Sequence, residues 1–596
     1  MDELTGGDAI VGTLFAMGVE VVFGIPSVHN LPIYDSLRRH GRIRAVTVRH
    51  EQAAAGAADA YARVTGRLGV FITSTGPGAA NAMGGQLEAF VSSSPVVHVT
   101  GQIDSRYLDE GRGFIHEVPD QPAMLGSLAK WTGRAASVEH IPARISDALI
   151  AASAHPQGPA AVEIPIDFQY ASYAGRERTA WGWGADENGK RIGIRPGWPG
   201  PIGRGLETRA HVLAARPALD EAALGRAVSL LRDARRPLIW AGGGVVAALA
   251  WEELARLARM LGAGVITSPN GRGVIDEADP LCIGNLPWDK GVRALCQRAD
   301  VMLAVGTRFQ GPNTENWKMQ LPEALIHIDI NPEALGRCYE PSVGLVHDAR
   351  EAMGTILTEL DKAPPSPGVD DGWIDEVASV AAAARRHLRE TLGPQAGLLD
   401  ALEAVLDGDT VVVKDATVPA YTWGNRLLPV RRPGLSVMPN GFAIGLGLPH
   451  ALGAAAADPS KPVVLLVGDG GFMLAATELA TASAERLPIV VVLFNDGGYG
   501  ILRNIQDRQY EARIGVDLGR PDFCGLACSL GAQAERVETV DDYRAAVARA
   551  LGGAADDHLP RLVEVDLEKI GPMAVPFIGT SRPPAEPLRD VQSGSK

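Results

Sequence analysis

Short runs rich in valine and isoleucine, each ending in glycine or a polar turn, alternate along the chain with alanine-rich stretches of helical spacing. That alternation predicts parallel α/β sheets, because strands buried on both faces read as continuous apolar runs and the helices that cross between them read as amphipathic. Three modules repeat the rhythm. In residues 1–172, VEVVFGIPS, IRAVTVRHE, GVFITSTGPG and SPVVHVTG predict strands, EQAAAGAADAYARVTG a helix between two of them, and AAVEIPIDF the closing strand. In 217–362 the strands are RPLIWAGGGV, GAGVITSPN, ADVMLAVGTRF and ALIHIDINP; in 390–575 they are DTVVVKDAT, KPVVLLVGDGG, LPIVVVLFNDGG and RLVEVDLEK. The expected fold class is therefore α/β, with three doubly wound parallel-sheet domains. Residues 173–216 break the pattern with Gly, Pro, Arg and three tryptophans, which predicts an irregular insertion packed onto a domain. Residues 363–389, which hold APPSPGVDDG, read as a linker, and 576–596 as a loosely held tail.

Length and charge narrow the function. A chain of 596 residues exceeds what one core supports, and 46% hydrophobic residues supply several. The formal charge of -14 is spread along the chain, so no basic surface is available for nucleic acid or anionic lipid. A small-molecule enzyme fits. The five cysteines, Cys282, Cys296, Cys338, Cys524 and Cys528, form no CxxC pair, and their odd number suits a reducing compartment without structural disulfides. Cys524 and Cys528 share a helical face but read as buried thiols. The start, MDELTGGDAIVG, lacks a basic-then-apolar signal pattern, and no apolar stretch approaches the roughly 20 residues of a membrane span. The expectation is a cytoplasmic protein with no membrane partner.

The candidate chemistry lies in GDGGFMLAATELATASAERLPIVVVLFNDGG, where Asp469 and Asp496 each follow an apolar run and sit beside glycine. Ligands gather beyond strand carboxyl ends in open α/β sheets, helix starts favour phosphate, and glycine admits close backbone approach. If the two strands are neighbours, a hard cation could bridge both carboxylates and a diphosphate. A catalytic acid pair, or turns whose aspartates bond their own backbone, would leave the same spacing.

Over nearly the whole chain the sequence resembles thiamine diphosphate (ThDP) enzymes of the acetolactate synthase and benzoylformate decarboxylase group. The segment above is similar to their signature of GDG, about two dozen residues and a closing Asn-Asn, here Asn495-Asp496. RHEQAAAGAADAYARVTGRLGV resembles their activating-glutamate segment, and FGIPSVHNLPIYDSL, STGPGAANAMG, SPVVHVTGQ, AGGG, VGTRF and AIGLGLPHALGA follow in the expected order. The resemblance implies a pyrimidine-binding N-terminal domain, a central domain and a diphosphate-binding C-terminal domain. It also implies an active site formed between two subunits, hence a homodimer at least, with a tetramer as the alternative.

Carried over by residue, it implies that Asp469, Asp496 and the Gly498 carbonyl bind Mg²⁺, with Asp496 standing where the group has Asn. Thr417, Gly470, Gly471 and Tyr499 would face the cofactor, Ile444 would bend it, and the Phe442 carbonyl would take its amine. Glu51 would exchange a proton with the cofactor ring; from the residues alone it could instead cap the helix it begins. Val28, Ser74, Ile115, His116, Ile501 and Leu502 would line the substrate pocket, with His116 and Glu117 standing in for a Gln-Glu pair of the synthases and handling protons. The implied activity decarboxylates a 2-oxo acid and transfers the acyl-anion equivalent to a carbonyl acceptor. Two alternatives remain: a decarboxylase that releases an aldehyde, and a catalytically silent scaffold or sensor. IGNLPWDKGV and GTRFQGPNTENW depart from the loops that hold FAD in biosynthetic synthases, so FAD is not expected.

Overall fold

A computed structural model describes residues 4–173, 184–185, 191–192, 218–366 and 368–579. The expected insertion at 173–216 lies outside them apart from Tyr173 and a two-residue antiparallel pair, Gly184–Ala185 with Arg191–Ile192. The described chain builds three six-stranded, wholly parallel sheets, each with flanking helices. The first holds β1 (Val21–Gly24), β2 (Arg44–Thr47), β3 (Gly69–Thr73), β4 (Val96–Gln102), β5 (Trp131–Arg134) and β6 (Ala160–Pro165), in the order β2-β1-β3-β4-β6-β5. The second holds β7 (Pro237–Ala241), β8 (Gly264–Thr267), β9 (Cys282–Gly284), β10 (Val301–Val305), β11 (Ala324–Asp329) and β12 (Val343–Val346), in the order β9-β8-β7-β10-β11-β12. The third holds β13 (Val411–Lys414), β14 (Ser436–Val437), β15 (Val463–Gly468), β16 (Ile489–Asn495), β17 (Gln533–Val537) and β18 (Arg561–Asp566), in the order β14-β13-β15-β16-β18-β17.

The first and third sheets thus have one strand order, and the second has another. Every strand predicted from an apolar run is present. Those the pattern passed over, β5, β9, β12, β14 and β17, are all sheet edges. β5, β12, β14 and β17 are partly solvated and β9, though buried, is only three residues long, so none carries a long apolar run.

One core joins the first and third domains. Helix Glu51–Thr65 packs on helix Gly447–Ala457 within one apolar cluster that holds Ala54, Ala57 and Ala58 of the first and Leu448, Ala451 and Leu452 of the second. Their backbones approach so closely that a Cβ on Gly453 would lie 1.9 Å from the Ala57 carbonyl oxygen. Arg63 ties in the second domain: its guanidinium donates to the Met438 carbonyl at 2.9 Å and to Asn270 Oδ1 at 3.0 Å.

The linker reading of 363–389 needs correction. From Trp373 the segment is helical, Trp373–Thr391, and its Trp373, Val377, Ala381 and Ala384 are buried against the second sheet. Only the Pro-rich stretch before it is loop, because proline and glycine end there and helical periodicity begins. The start of the tail is also held, as the Phe577 ring stacks on Tyr421 with centroids 6.2 Å apart and its carbonyl accepts from Asn504 Nδ2 at 3.0 Å. Among the described residues no helix is long and apolar enough to cross a membrane.

Candidate active site

Two groups of functional side chains form, each at the point where its sheet reverses order, β1/β3 in the first domain and β13/β15 in the third. Crevices for ligands open there. In the first domain, helix Glu51–Thr65 starts beyond β2. Its cap is His50, whose Nδ1 accepts the Gln52 N–H at 3.2 Å, so the Glu51 carboxylate is not spent on capping. Glu51 Oε2 accepts from Asn81 Nδ2 at 3.1 Å, and its Oε1 faces Gly78, where a Cβ would come within 3.2 Å. Burial and then the Glu51 charge raise the Tyr34 phenol above its ordinary range.

The loop after β3 brings Ser74 beside His116, Oγ to Nδ1 3.3 Å, and His116 takes a left-handed backbone with φ of 66°. Its ring lies 5.0 Å from that of His29, which the sequence reading passed over for the neighbouring Val28. His29 is 2% exposed, and burial followed by the His116 charge lowers its pKa. Val28 and Ile115 are exposed at the rim. Glu117 braces its own loop: its carboxylate accepts the N–H groups of Gly111 (3.1 Å), Gly113 (2.7 Å) and Phe114 (2.9 Å).

In the third domain β15 ends at Gly468, and Asp469 opens the helix Asp469–Ala475. The adjacent β16 delivers Asp496. Turn chemistry is present, since Asp496 Oδ1 accepts the Gly498 N–H at 3.2 Å. The two aspartates nonetheless leave neighbouring strand ends, where Gly468 pairs with Phe494; burial, then the Asp496 charge, push Asp469 up to about 7, and burial also raises Asp496. Arg503 Nη1 donates to the Asp496 carbonyl at 2.9 Å, and Arg503 Nη2 lies 3.5 Å from Asp496 Oδ1. Two carboxylates at adjacent strand ends beside backbone carbonyls are donors suited to a hard divalent cation, which draws its remaining oxygens from water or phosphate. Among the described residues no group of three or more His, Cys, Asp or Glu could hold a metal on its own.

Glycines make room around this pair. A Cβ on Gly468 would lie 2.9 Å from Thr417 Oγ1, and one on Gly470 2.6 Å from the Tyr499 ring. Gly471 faces both Asp415 and Ile444 at 3.2 and 3.4 Å by the same measure. Asp415, fully buried and missed in the sequence, accepts the N–H groups of Ala416 (2.6 Å), Gly445 (3.0 Å) and Gly447 (2.7 Å) and so pins the loop bearing Phe442 and Ile444. Burial raises its pKa. Its one signal was adjacency to Thr417 in KDAT. Phe442, at φ 62°, is exposed, as is Leu502; Ile501 is half-buried on the helix Gly500–Gln509.

Both groups are open, with Met473 and Leu474 adding to the exposed apolar side chains around the third-domain group. A cavity of about 430 Å³ lies elsewhere, at the junction of the three domains, and is lined by Arg63, Asn270, Arg272 and Ser436 among others.

Family models match all three domains. Residues 4–124 match the thiamine pyrophosphate enzyme N-terminal TPP-binding domain, 224–356 the central domain, and 419–565 the C-terminal TPP-binding domain. A probable 2-ketoarginine decarboxylase of Pseudomonas aeruginosa is 34% identical over 548 residues, covering 90% of this chain and 90% of its own. The acetolactate synthase large subunit of Corynebacterium glutamicum is 32% identical, covering 92% of this chain and 85% of its own. A probable acetolactate synthase large subunit of Methanocaldococcus jannaschii is 29% identical, covering 92% and 90%. The chain belongs to the thiamine pyrophosphate enzyme family, as an acetolactate synthase-like enzyme acting as carboligase or decarboxylase.

Proposed function

We propose that this enzyme uses ThDP and Mg²⁺ to decarboxylate a 2-oxo acid and then protonates the product carbon, releasing an aldehyde. The observation that carries the choice is the His29–His116 pair beside Ser74, 5.0 Å between rings and 3.3 Å from His116 Nδ1 to Ser74 Oγ. An imidazole near neutral pH both donates and accepts protons, and the relative named as a decarboxylase is in keeping with this. When bound, ThDP supplies the carbanion-stabilising chemistry. Asp469, Asp496 and the Gly498 carbonyl would hold Mg²⁺; Thr417, Gly470, Gly471 and Tyr499 would hold the diphosphate end; Phe442 and Ile444 the pyrimidine end. Glu51 would exchange a proton at the pyrimidine ring nitrogen. His116 would deliver a proton to the carbon from which carbon dioxide leaves.

The exposed apolar rims of both groups support a homodimer in which one chain's Glu51 region closes on its partner's Asp469 region. Val28, Ile115, Ile501 and Leu502 suit a 2-oxo acid with an apolar side chain better than one bearing a guanidinium. FAD has no part in this reading. Transfer to a second carbonyl, as the synthase relatives' names indicate for them, is the second reading, favoured by the same open apolar rim. Purified protein given ThDP, Mg²⁺ and a panel of 2-oxo acids, with and without an added aldehyde, decides between them. Aldehyde release is expected; hydroxyketone as the main product, or no carbon dioxide from any acid, would overturn the first reading.

A further inference from the structure

Each group of site residues is mounted on a segment gripped by a carboxylate from the other domain. Glu478, 1% exposed at the start of the helix Glu478–Ala484, the second after β15, accepts the N–H groups of Arg49 (2.9 Å) and His50 (3.0 Å), the two residues before Glu51. Glu88, fully buried on the helix Met83–Ser92 after β3, accepts the N–H groups of Gly441 (2.7 Å) and Ala443 (3.0 Å), which flank Phe442 and lead into Ile444.

The two grips are equivalent under the repeated fold. β3 and β15 hold the same place in sheets of the same order, and each is followed by a short helix and then by the helix with the glutamate. The gripped segments are equivalent too, one joining β2 to the helix Glu51–Thr65 and the other joining β14 to the helix Gly447–Ala457. These two helices form the most extensive contact between the domains.

We propose that Glu88 and Glu478 are positioning residues, a crossed pair by which each domain fixes the catalytic segment of the other: Glu478 sets Glu51, and Glu88 sets Phe442 and Ile444. This rests on the ThDP reading of those three residues. A buried carboxylate accepting two amides holds a segment more stiffly than neutral bonds do, and losing it removes the partner of two part-buried donors.

The geometry distinguishes the two members. Both amides converge on Glu478 Oε1, while Oε2 takes the Thr481 hydroxyl at 2.8 Å. A glutamine can keep that pattern, with its amide nitrogen turned to the Thr481 oxygen. Glu88 spends one oxygen on each amide, so a glutamine there must lose one.

The test reads amide hydrogen exchange on the full-length protein without cofactor, then ThDP affinity and deuterium exchange at cofactor C2 with ThDP and Mg²⁺ added. Glu478→Ala should speed exchange in 47–52 about tenfold, leave 439–446 unchanged, and slow C2 exchange while ThDP affinity holds. Glu478→Gln should restore most of both. Glu88→Gln should loosen 439–446 alone and weaken ThDP affinity. Unchanged protection of the opposite segment in Glu478→Ala and Glu88→Gln would overturn the grip itself. Loosened segments with C2 exchange and affinity intact would reduce both glutamates to structure. If Glu51→Gln also leaves C2 exchange intact, the ThDP role of Glu51 falls, and Glu478's positioning role with it, while the apoprotein result still stands.

Discussion

The first and third domains share a strand order, a sheet reversal and even a reciprocal glutamate, yet they present opposite chemistry at the same place. Around β1 and β3 the loops carry a carboxylate and two imidazoles, groups that move protons. Around β13, β15 and β16 they carry two aspartates, a threonine and several glycines, a set suited to an anion and its cation. A fold fixes where a site opens and leaves the loops to decide what it does. The second sheet makes the point from the other side. Its order, β9-β8-β7-β10-β11-β12, is the one that elsewhere binds dinucleotides, yet the loops beyond its strands do not match those expected for FAD.

That contrast can be broken at its strongest point first. Asp469→Ala should cost ThDP affinity in Mg²⁺ about a hundredfold or more, beyond the 10–100-fold typical of losing an outer-shell partner, whereas Asp496→Asn should retain binding because the amide oxygen still ligates. Calorimetric titration with and without Mg²⁺ checks this, and unchanged binding in Asp469→Ala would return both aspartates to turn chemistry.

Glu51→Gln probes the proton-moving side. Turnover should fall by about 10²–10⁴-fold, the usual worth of a positioned acid or base, with ThDP binding kept; an undiminished C2 exchange rate would sink the assignment. A smaller effect is expected at Asp415→Ala, which orphans two buried N–H groups, of Gly445 and Gly447, and a part-buried one of Ala416. A loss of about 1–3 kcal/mol in stability, read by denaturant unfolding, should accompany weaker ThDP binding, and full stability would show that the loop of Phe442 and Ile444 is held by other contacts.

His116→Gln should change the ratio of aldehyde to ligation product a few-fold with little change in KM. Product ratios unchanged between pH 6 and 8 would make His116 a polar loop residue. The smallest effect sharpens the difference between the two sheets. On β4, His98 is buried against Phe71, bonded at Nε2 to Thr73 and at Nδ1 to Gln86, and burial lowers its pKa to about 3. β16, its counterpart in strand order, is apolar throughout up to its terminal Asn495. The folded state keeps His98 neutral while the unfolded chain takes up a proton below about 6.5, so its share of stability is present above that pH and is lost toward pH 3. The first domain should therefore lose exchange protection before the third as pH falls from 6.5. Equal loss in both would refute the assignment to His98.

Sequence periodicity was enough for the interior strands, since a strand buried on both faces has to be apolar along its length. It was silent on the edge strands and on the helix Trp373–Thr391, whose start is masked by the prolines before it. Glu51, His116, Asp469 and Asp496 were legible because each sits in a local motif beside a turn. His29, Glu88, Asp415 and Glu478 were not, because a buried polar side chain is chosen by its partners, which lie 87 residues away for His29 and His116 and more than 300 for Glu88 and Gly441. The chain by itself therefore determined the three sheets, the strand ends where chemistry gathers and the residue types offered there. Only the tertiary structure decided which of those residues meet. Glu117 turned into its own loop, His29 turned toward His116, and two glutamates crossed between domains because hydrogen bonds and charge act over a few ångströms in space, a distance that sequence separation does not encode.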